Sequence, residues 1–375
     1  MSEISKINDL NGNNLKSKKI LINYSFKLQT TLKIPKIIDY ISFVKIISAY
    51  AVIILHTNPF YGDNFKNKTK WIFTNFIEQF FIFGVPMFVL CVGATLLDFN
   101  EKYGLVEYYK RRFFKVVLPL ICWNIILYYY RVYFLKNLKN EKFDIVKLLN
   151  LYFQNKIYVL FYSFHIFIIH YMIIPLLAYV DKSKKIKIYF YCFFTLLVTQ
   201  SLIPYIIEIL HINLTWPYNI NVGYIIYIFS GYIIENYKFS NLIKKLIYII
   251  GLLSFLIQII GTHILTYKYR KASLWHTGYL KLPTVLYCNS LFLFIKDYSS
   301  LLFIFINKDK VNFLGTLTIG PFFLHLPLMD FFRKYPKFIF NINIISFFGG
   351  NIICIICFLL TFIIKKIPII NYLVP

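Results

Sequence analysis

The protein is 375 residues long, of which 58% are hydrophobic and 15% charged, and its mean hydropathy is +0.62. Soluble domains run about 45–50% apolar and about 25% charged, so an ordinary soluble enzyme, a disordered polypeptide and a disulfide-stapled secreted domain are excluded. The net charge of +25 does not mark a nucleic-acid partner, because the Lys and Arg residues sit mostly in short segments between apolar runs, where they set topology and meet anionic lipid headgroups.

Residues 1–36 are rich in Asn, Lys and Ser and read as a polar cytoplasmic tail without the apolar core of a cleaved signal peptide. Beyond them, apolar runs of bilayer-crossing length recur, which predicts an all-α, polytopic membrane protein of about ten transmembrane helices. The expected limits are 37–56, 71–97, 113–130, 157–180, 187–209, 218–236, 242–265, 279–299, 311–332 and 342–364. Pro175 falls inside the fourth run. The longest connection, 131–156, is Lys-rich and has room for an amphipathic helix. The membrane domain is expected over 37–366, followed by a short tail, 367–375. No internal repeat is visible, which counts against many transporter folds. An excess of Lys and Arg on the side that holds the N-terminus predicts a cytoplasmic N-terminus in a cell (inner) membrane.

All six cysteines lie in apolar runs, and the Cys354–Cys357 pair has no second pair and no nearby His. They read as small buried residues, and no metal is expected.

Ionisable groups inside spans are costly and therefore candidates for function. Lys45 and His56 share the first span, eleven residues apart, so they project from one face about 16 Å apart along the axis. The plain alternative is a snorkelling lysine and a helix-end histidine. Glu78 in the second span falls close to the depth of His56, and His325 in the ninth lies in the outer half. A carboxylate near an imidazole orients the ring and raises its basicity. Lys110, Arg111, Arg112 and Lys115 cluster where the third span enters, just ahead of Pro119. Such clusters follow from the positive-inside rule, and they also make a phosphate-binding mouth, since guanidinium groups fork onto phosphate oxygens. The set divides into cations at the inner mouth and proton-transfer groups in the outer half. That division suits acyl transfer: a phosphate-bearing acyl-CoA docks from one side, and a neutral His removes the proton of a hydroxyl that attacks the thioester.

These residues resemble the acyltransferase-3 family of integral-membrane acyltransferases. The family's Arg or Lys, ten residues, then His corresponds to Lys45 and His56. Its second-span stretch corresponds to Gly84-Val85-Pro86-Met87-Phe88 through Gly93-Ala94-Thr95-Leu96-Leu97, its R-x-x-R to Arg112-Phe113-Phe114-Lys115, and its late G-x-Y-x-x-H to Gly320-Pro321-Phe322-Phe323-Leu324-His325. Ser42 stands where an Asp is common, Val92 where a Ser is usual, and the middle H-L-W-F is echoed weakly by His165-Ile166-Phe167-Ile168.

The resemblance implies a bacterial inner-membrane enzyme that takes acetyl-CoA or another acyl-CoA from the cytoplasm. The acceptor it implies is a hydroxyl of a surface glycan or a lipid-linked sugar precursor. His56, with Glu78 and His325, would carry the chemistry, and Lys45, Arg111, Arg112 and Lys115 would hold the donor. Membrane lipid is the expected surrounding and nucleic acid is not an expected partner. Two other readings remain at this point: a polysaccharide exporter or flippase, whose path the 32 Tyr and 40 Phe would line, and a scaffold whose site has decayed at Ser42 and Val92.

Overall fold

The computed structural model describes residues 39–59, 63–135, 144–154, 156–158, 161–212, 223–335 and 346–375. The expected tail, 1–36, lies outside the described residues. The described residues form helices and turns, with no strand among them. Seven helical segments are long and apolar enough to cross a membrane, or eight when one bent pair is taken as a single span. Two shorter apolar helices occupy positions where the sequence predicts further spans.

The helices, in sequence order, begin with α1 (Asp39–Thr57), α2 (Lys68–Phe81) and α3 (Gly84–Leu96). Next come α4 (Leu105–Arg112) and α5 (Leu118–Tyr129), joined by a π-helical stretch at Phe113–Val117. A second π-helical stretch, Tyr130–Leu135, continues from α5. Helix α6 (Ile145–Phe153) falls in the long connection, and the Asp144 carboxylate caps its N-terminus. Its exposed Ile145, Val146, Leu149 and Phe153 fit a helix lying in the membrane interface. Helix α7 (Tyr162–Ala178) precedes α8 (Lys182–Leu196), which runs through a third π-helical stretch, Leu197–Leu202, into α9 (Ile203–Ile209). Then follow α10 (Ile225–Asn236), α11 (Asn241–Tyr269), α12 (Leu282–Phe305), α13 (Lys308–Thr316), α14 (Ile319–Lys334) and α15 (Phe347–Lys366).

Two expected spans take a different form. The ninth is broken: α13 and α14 meet at 60°. The sixth is reduced, among the described residues, to the twelve residues of α10. Every residue of α10 from Ile225 to Ile234 is buried. A helix encased by protein need not match the bilayer thickness, because its neighbours satisfy and cover it.

Helix α11 shows how the bundle meets lipid. Its buried residues are Gly251, Ser254, Gln258, Thr262 and Thr266, and its large apolar side chains face outward. Small and hydroxyl-bearing residues let membrane helices approach and bond across the contact. Gln258 donates to Thr284 at 3.2 Å, and Thr262 meets Thr277 at 3.4 Å.

Helix α1 is central and touches α2, α3, α12, α13, α14 and α15. The closest helix crossing is between α3 and α10. A Cβ on Gly93 would lie 2.1 Å from the Ile228 carbonyl oxygen, and one on Gly231 would lie 2.2 Å from that of Leu90. The second-span stretch is thus a docking surface, and Val92 belongs to its buried apolar core. Ser42 has a similar cause. A Cβ on Gly315 would lie 2.8 Å from the Ser42 Cβ, so α13 passes closely over α1 at Ser42.

Gly93→Ala is expected to cost about 2 kcal/mol or more by forcing α3 from α10. Gly104→Ala, with open space around its Cβ position, should change stability by less than about 0.5 kcal/mol. Thermal unfolding followed with a thiol-reactive dye reads both, since Cys91, Cys288, Cys354 and Cys357 are free and buried.

Candidate active site

Helix α1 carries Lys45 in its first half and His56 in its last turn. The two ends have different chemistry.

At the first end the cations converge. Lys45, Arg112 and Lys365 lie close enough to Lys115 for their charges to act on it. The Arg112 guanidinium sits over the rings of Tyr108 and Tyr171, at 5.8 and 5.5 Å, and its Nε is buried without a partner. Lys365 donates to the Thr316 carbonyl at 3.2 Å. Among the described residues no carboxylate pairs with any of the four. Crowded cations with no counter-ion repel one another and are stabilised by a bound anion.

The local sequence explains how Lys115 joins this group. In a regular helix the Pro119 ring would strike the carbonyl of residue 115. The backbone instead widens into the π-helical stretch Phe113–Val117, with the Leu118 N–H bonded to the Phe113 carbonyl. This change of register re-aims Lys115, and such stretches are frequent at functional sites. Arg111 goes elsewhere: it is exposed, paired with Glu107 at 2.7 Å, and stacked over Tyr103 at 4.5 Å.

At the other end His56 and His325 stack, with ring centroids 5.2 Å apart and planes inclined by 16°. His325 is 2% exposed. Its Nδ1 lies 2.8 Å from the Pro321 carbonyl oxygen. A carbonyl only accepts, so Nδ1 carries the hydrogen and the neutral ring presents a lone pair on Nε2. That Nε2 is buried and has no partner. The Pro321 carbonyl that sets the tautomer belongs to the late G-x-Y-x-x-H-like motif itself. His56 is half-buried and makes no hydrogen bond among the described residues.

Glu78 is buried near this pair, but its bonded partner is Asn58, whose amide donates to Oε2 at 2.9 Å and to the Thr74 carbonyl at 2.9 Å. The bond therefore ties α2 to the residues just past α1, and neither imidazole receives it. The other histidines stand apart: His165 bonds the Phe161 carbonyl at 3.3 Å and His276 pairs with Tyr205 at 2.6 Å. Among the described residues no three His, Cys, Asp or Glu side chains gather in a way that could hold a metal ion.

Lys365 was not foreseen from sequence. It ends the last span beside Lys366, a position that positive-inside topology already explains. The sequence also hides the fold of the final segment, where Ile370–Leu373 turns back onto α5 and the Trp123 indole donates to the Leu373 carbonyl at 2.9 Å.

Inorganic pyrophosphate is expected to raise the thermal midpoint of the full-length protein, by about 2.7 kcal/mol of stabilisation at one hundred times its Kd. Lys115→Ala and Lys365→Ala should each reduce that rise. Without anion both should melt at or above the parent, because one of four crowded like charges is gone. A midpoint indifferent to pyrophosphate would refute the anion site.

The family model Acyl_transf_3, described as an acyltransferase domain, matches residues 38–365, a range that includes both ends of this arrangement. No curated protein and no solved structure matches the sequence.

Proposed function

We propose, from the premise that this protein belongs to the acyltransferase-3 family, that it transfers an acyl group from an acyl-CoA to a hydroxyl of a cell-surface glycan or its lipid-linked precursor. The observation that carries the reading is the division along α1: four cations with no carboxylate partner among the described residues at one end, and two stacked imidazoles at the other.

The donor's phosphates dock on Lys45, Arg112, Lys115 and Lys365, where bidentate and point-charge contacts fit phosphate oxygens. Its pantetheine arm reaches along α1 toward the histidines. The acceptor approaches from the opposite end. His56 takes the hydroxyl proton as the oxygen attacks the thioester carbonyl carbon. The C–O bond forms, the C–S bond breaks, and the leaving thiolate takes the proton from His56 to give free CoA and the neutral imidazole. His325, its tautomer set by the Pro321 carbonyl, backs the His56 ring by stacking and offers Nε2 as a further proton acceptor. The donor end faces the cytoplasm of a cell membrane in this reading, consistent with the charge bias between spans. Acetyl is the proposed acyl group.

The test is acyl transfer by the full-length protein in proteoliposomes, with mass spectrometry of the surface glycan from cells that contain or lack the protein. His56→Ala and His325→Ala should each lower transfer by at least about 100-fold. Lys365→Ala should raise the donor KM more than it lowers kcat, whereas Arg111→Ala should change both by less than about twofold. Parental rates in both histidine variants would sink the assignment. A glycan moved across the membrane with its ester content unchanged would favour an exporter.

A further inference from the structure

Between the cation cluster and the histidines stand two phenylalanines that the chemistry proposed above does not use. Phe88 of α3 and Phe322 of α14 meet edge to face, with centroids 4.8 Å apart and planes inclined by 74°. Their level in the bundle follows from their neighbours. On α3, a Cβ on Gly84 would lie 2.9 Å from Val52 Cγ2, one turn before His56. Cys91, on the turn beyond Phe88, lies within reach of the Lys45 charge. Helix α3 therefore runs opposite to α1 and holds Phe88 between the levels of His56 and Lys45. On α14, a Cβ on Gly320 would lie 2.1 Å from Thr361 Oγ1, near the Lys365 end of α15. Helix α14 thus starts at the cation end. Phe322 precedes His325 by three residues, about 4.5 Å of rise, on the cation side.

The accessible surface tells which way these rings face. From Phe81 to Gly93, Phe88 alone is not buried, and from Gly320 to Leu326, Phe322 alone is not. A lipid-facing residue on a helix belongs to a stripe, with exposed neighbours one turn before and one turn after it. Around Phe88 those neighbours, Gly84 and Val92, are buried, and so are Thr318 and Leu326 around Phe322. The surface of the two rings therefore lines a space inside the bundle and not its outer wall. His56 shows the same pattern, half-buried above a turn whose Val52 and Ile53 are buried.

The rings are held differently. Phe322 also meets Phe164 at 6.0 Å, Phe164 stacks on Phe323 at 4.4 Å, and Phe323 stacks on Trp123 at 5.7 Å. A packed column thus backs Phe322, whereas Phe88 has no other ring partner among the described residues. A donor whose phosphates sit on the cations enters acyl end first. Its acyl group must pass both rings before the thioester reaches His56. Centroids 4.8 Å apart are in ring-to-ring contact, so no carbon chain fits between them until a ring swings aside. Phe88 is the ring with room to do so, and the width of the acyl group sets how far it must turn.

We propose that the Phe88–Phe322 pair is a steric filter on the donor that passes unbranched acyl groups and rejects branched or aromatic ones. The proposal rests on the acyl-transfer reading above and adds the residues that set its donor range. Apolar walls discriminate a single methylene by about 10–200-fold, which is the scale of selectivity such a filter supplies.

The test is acyl transfer to the surface glycan by the full-length protein in proteoliposomes, with kcat/KM measured for acetyl-, propionyl-, isobutyryl- and benzoyl-CoA. The parent should use acetyl-CoA and propionyl-CoA at least about tenfold better than the other two. Phe88→Ala should raise the isobutyryl-to-acetyl ratio at least about tenfold. Phe88→Leu and Phe322→Leu, which keep apolar packing, should raise it by less. Loss of folded protein lowers every donor together and leaves the ratio alone, so the ratio reports the filter. A parent that uses isobutyryl-CoA as well as acetyl-CoA, or a parental ratio in all three variants, overturns the filter and leaves acyl transfer standing. A parent that transfers no acyl group from any donor overturns the acyl-transfer reading and the filter with it.

Discussion

An ammonium and an imidazole on one membrane helix impose the constraint from which the architecture follows. Neither is tolerated facing hydrocarbon, so α1 must be walled by protein on every side, and six helices contact it. Surrounding one helix that closely requires backbones to approach, and Gly84, Gly315 and Gly350 sit where a Cβ would meet Val52, Ser42 and Thr57 of α1 at under 3 Å. It also lets α10 be short, since a helix enclosed by others answers to its neighbours and not to the bilayer.

The same constraint separates two kinds of surface. Inside the bundle polar groups are few and mostly satisfied: Lys185, buried beside Asp98 at 2.9 Å, also donates to the carbonyls of Leu97 and Ala178, both at 3.1 Å. Outside, α11 shows lipid its leucines and isoleucines and keeps its hydroxyls inward. Against this background the atoms left without partners stand out. His325 Nε2 and Arg112 Nε are among them, and each lies at a place to which chemistry or binding has been assigned.

Much of this was legible in the sequence because it is periodic or local. Apolar runs announced the all-α membrane fold, and the Lys45–His56 spacing put an ammonium and an imidazole in opposite halves of α1. The stacking of His56 on His325 was anticipated only in that both fall in the outer half, since no spacing within either helix encodes their contact. Lys365 was hidden by its ordinary position at a span end. Glu78 was assigned to an imidazole by depth alone, whereas the group bonded to its carboxylate is an amide two residues beyond His56. The broken α13–α14 span was not visible as a break, because apolar character continues across the bend.

The π-helical stretches give this bundle a particular kind of tuning. Each wide turn holds one residue more than an α turn, so it behaves as a one-residue insertion that the helix has absorbed. Taking one residue out of Phe113–Val117 would restore an unbroken helix and leave the segments on either side nearly in register. Arg112 would keep its place over Tyr108 and Trp123 its hold on the C-terminal segment, while the side chains inside the stretch, Lys115 among them, would turn to new directions. Relatives that differ by a single residue at such a stretch would therefore share a fold and differ in which side chains face the interior, a route by which one scaffold could acquire new ligands without altering its core.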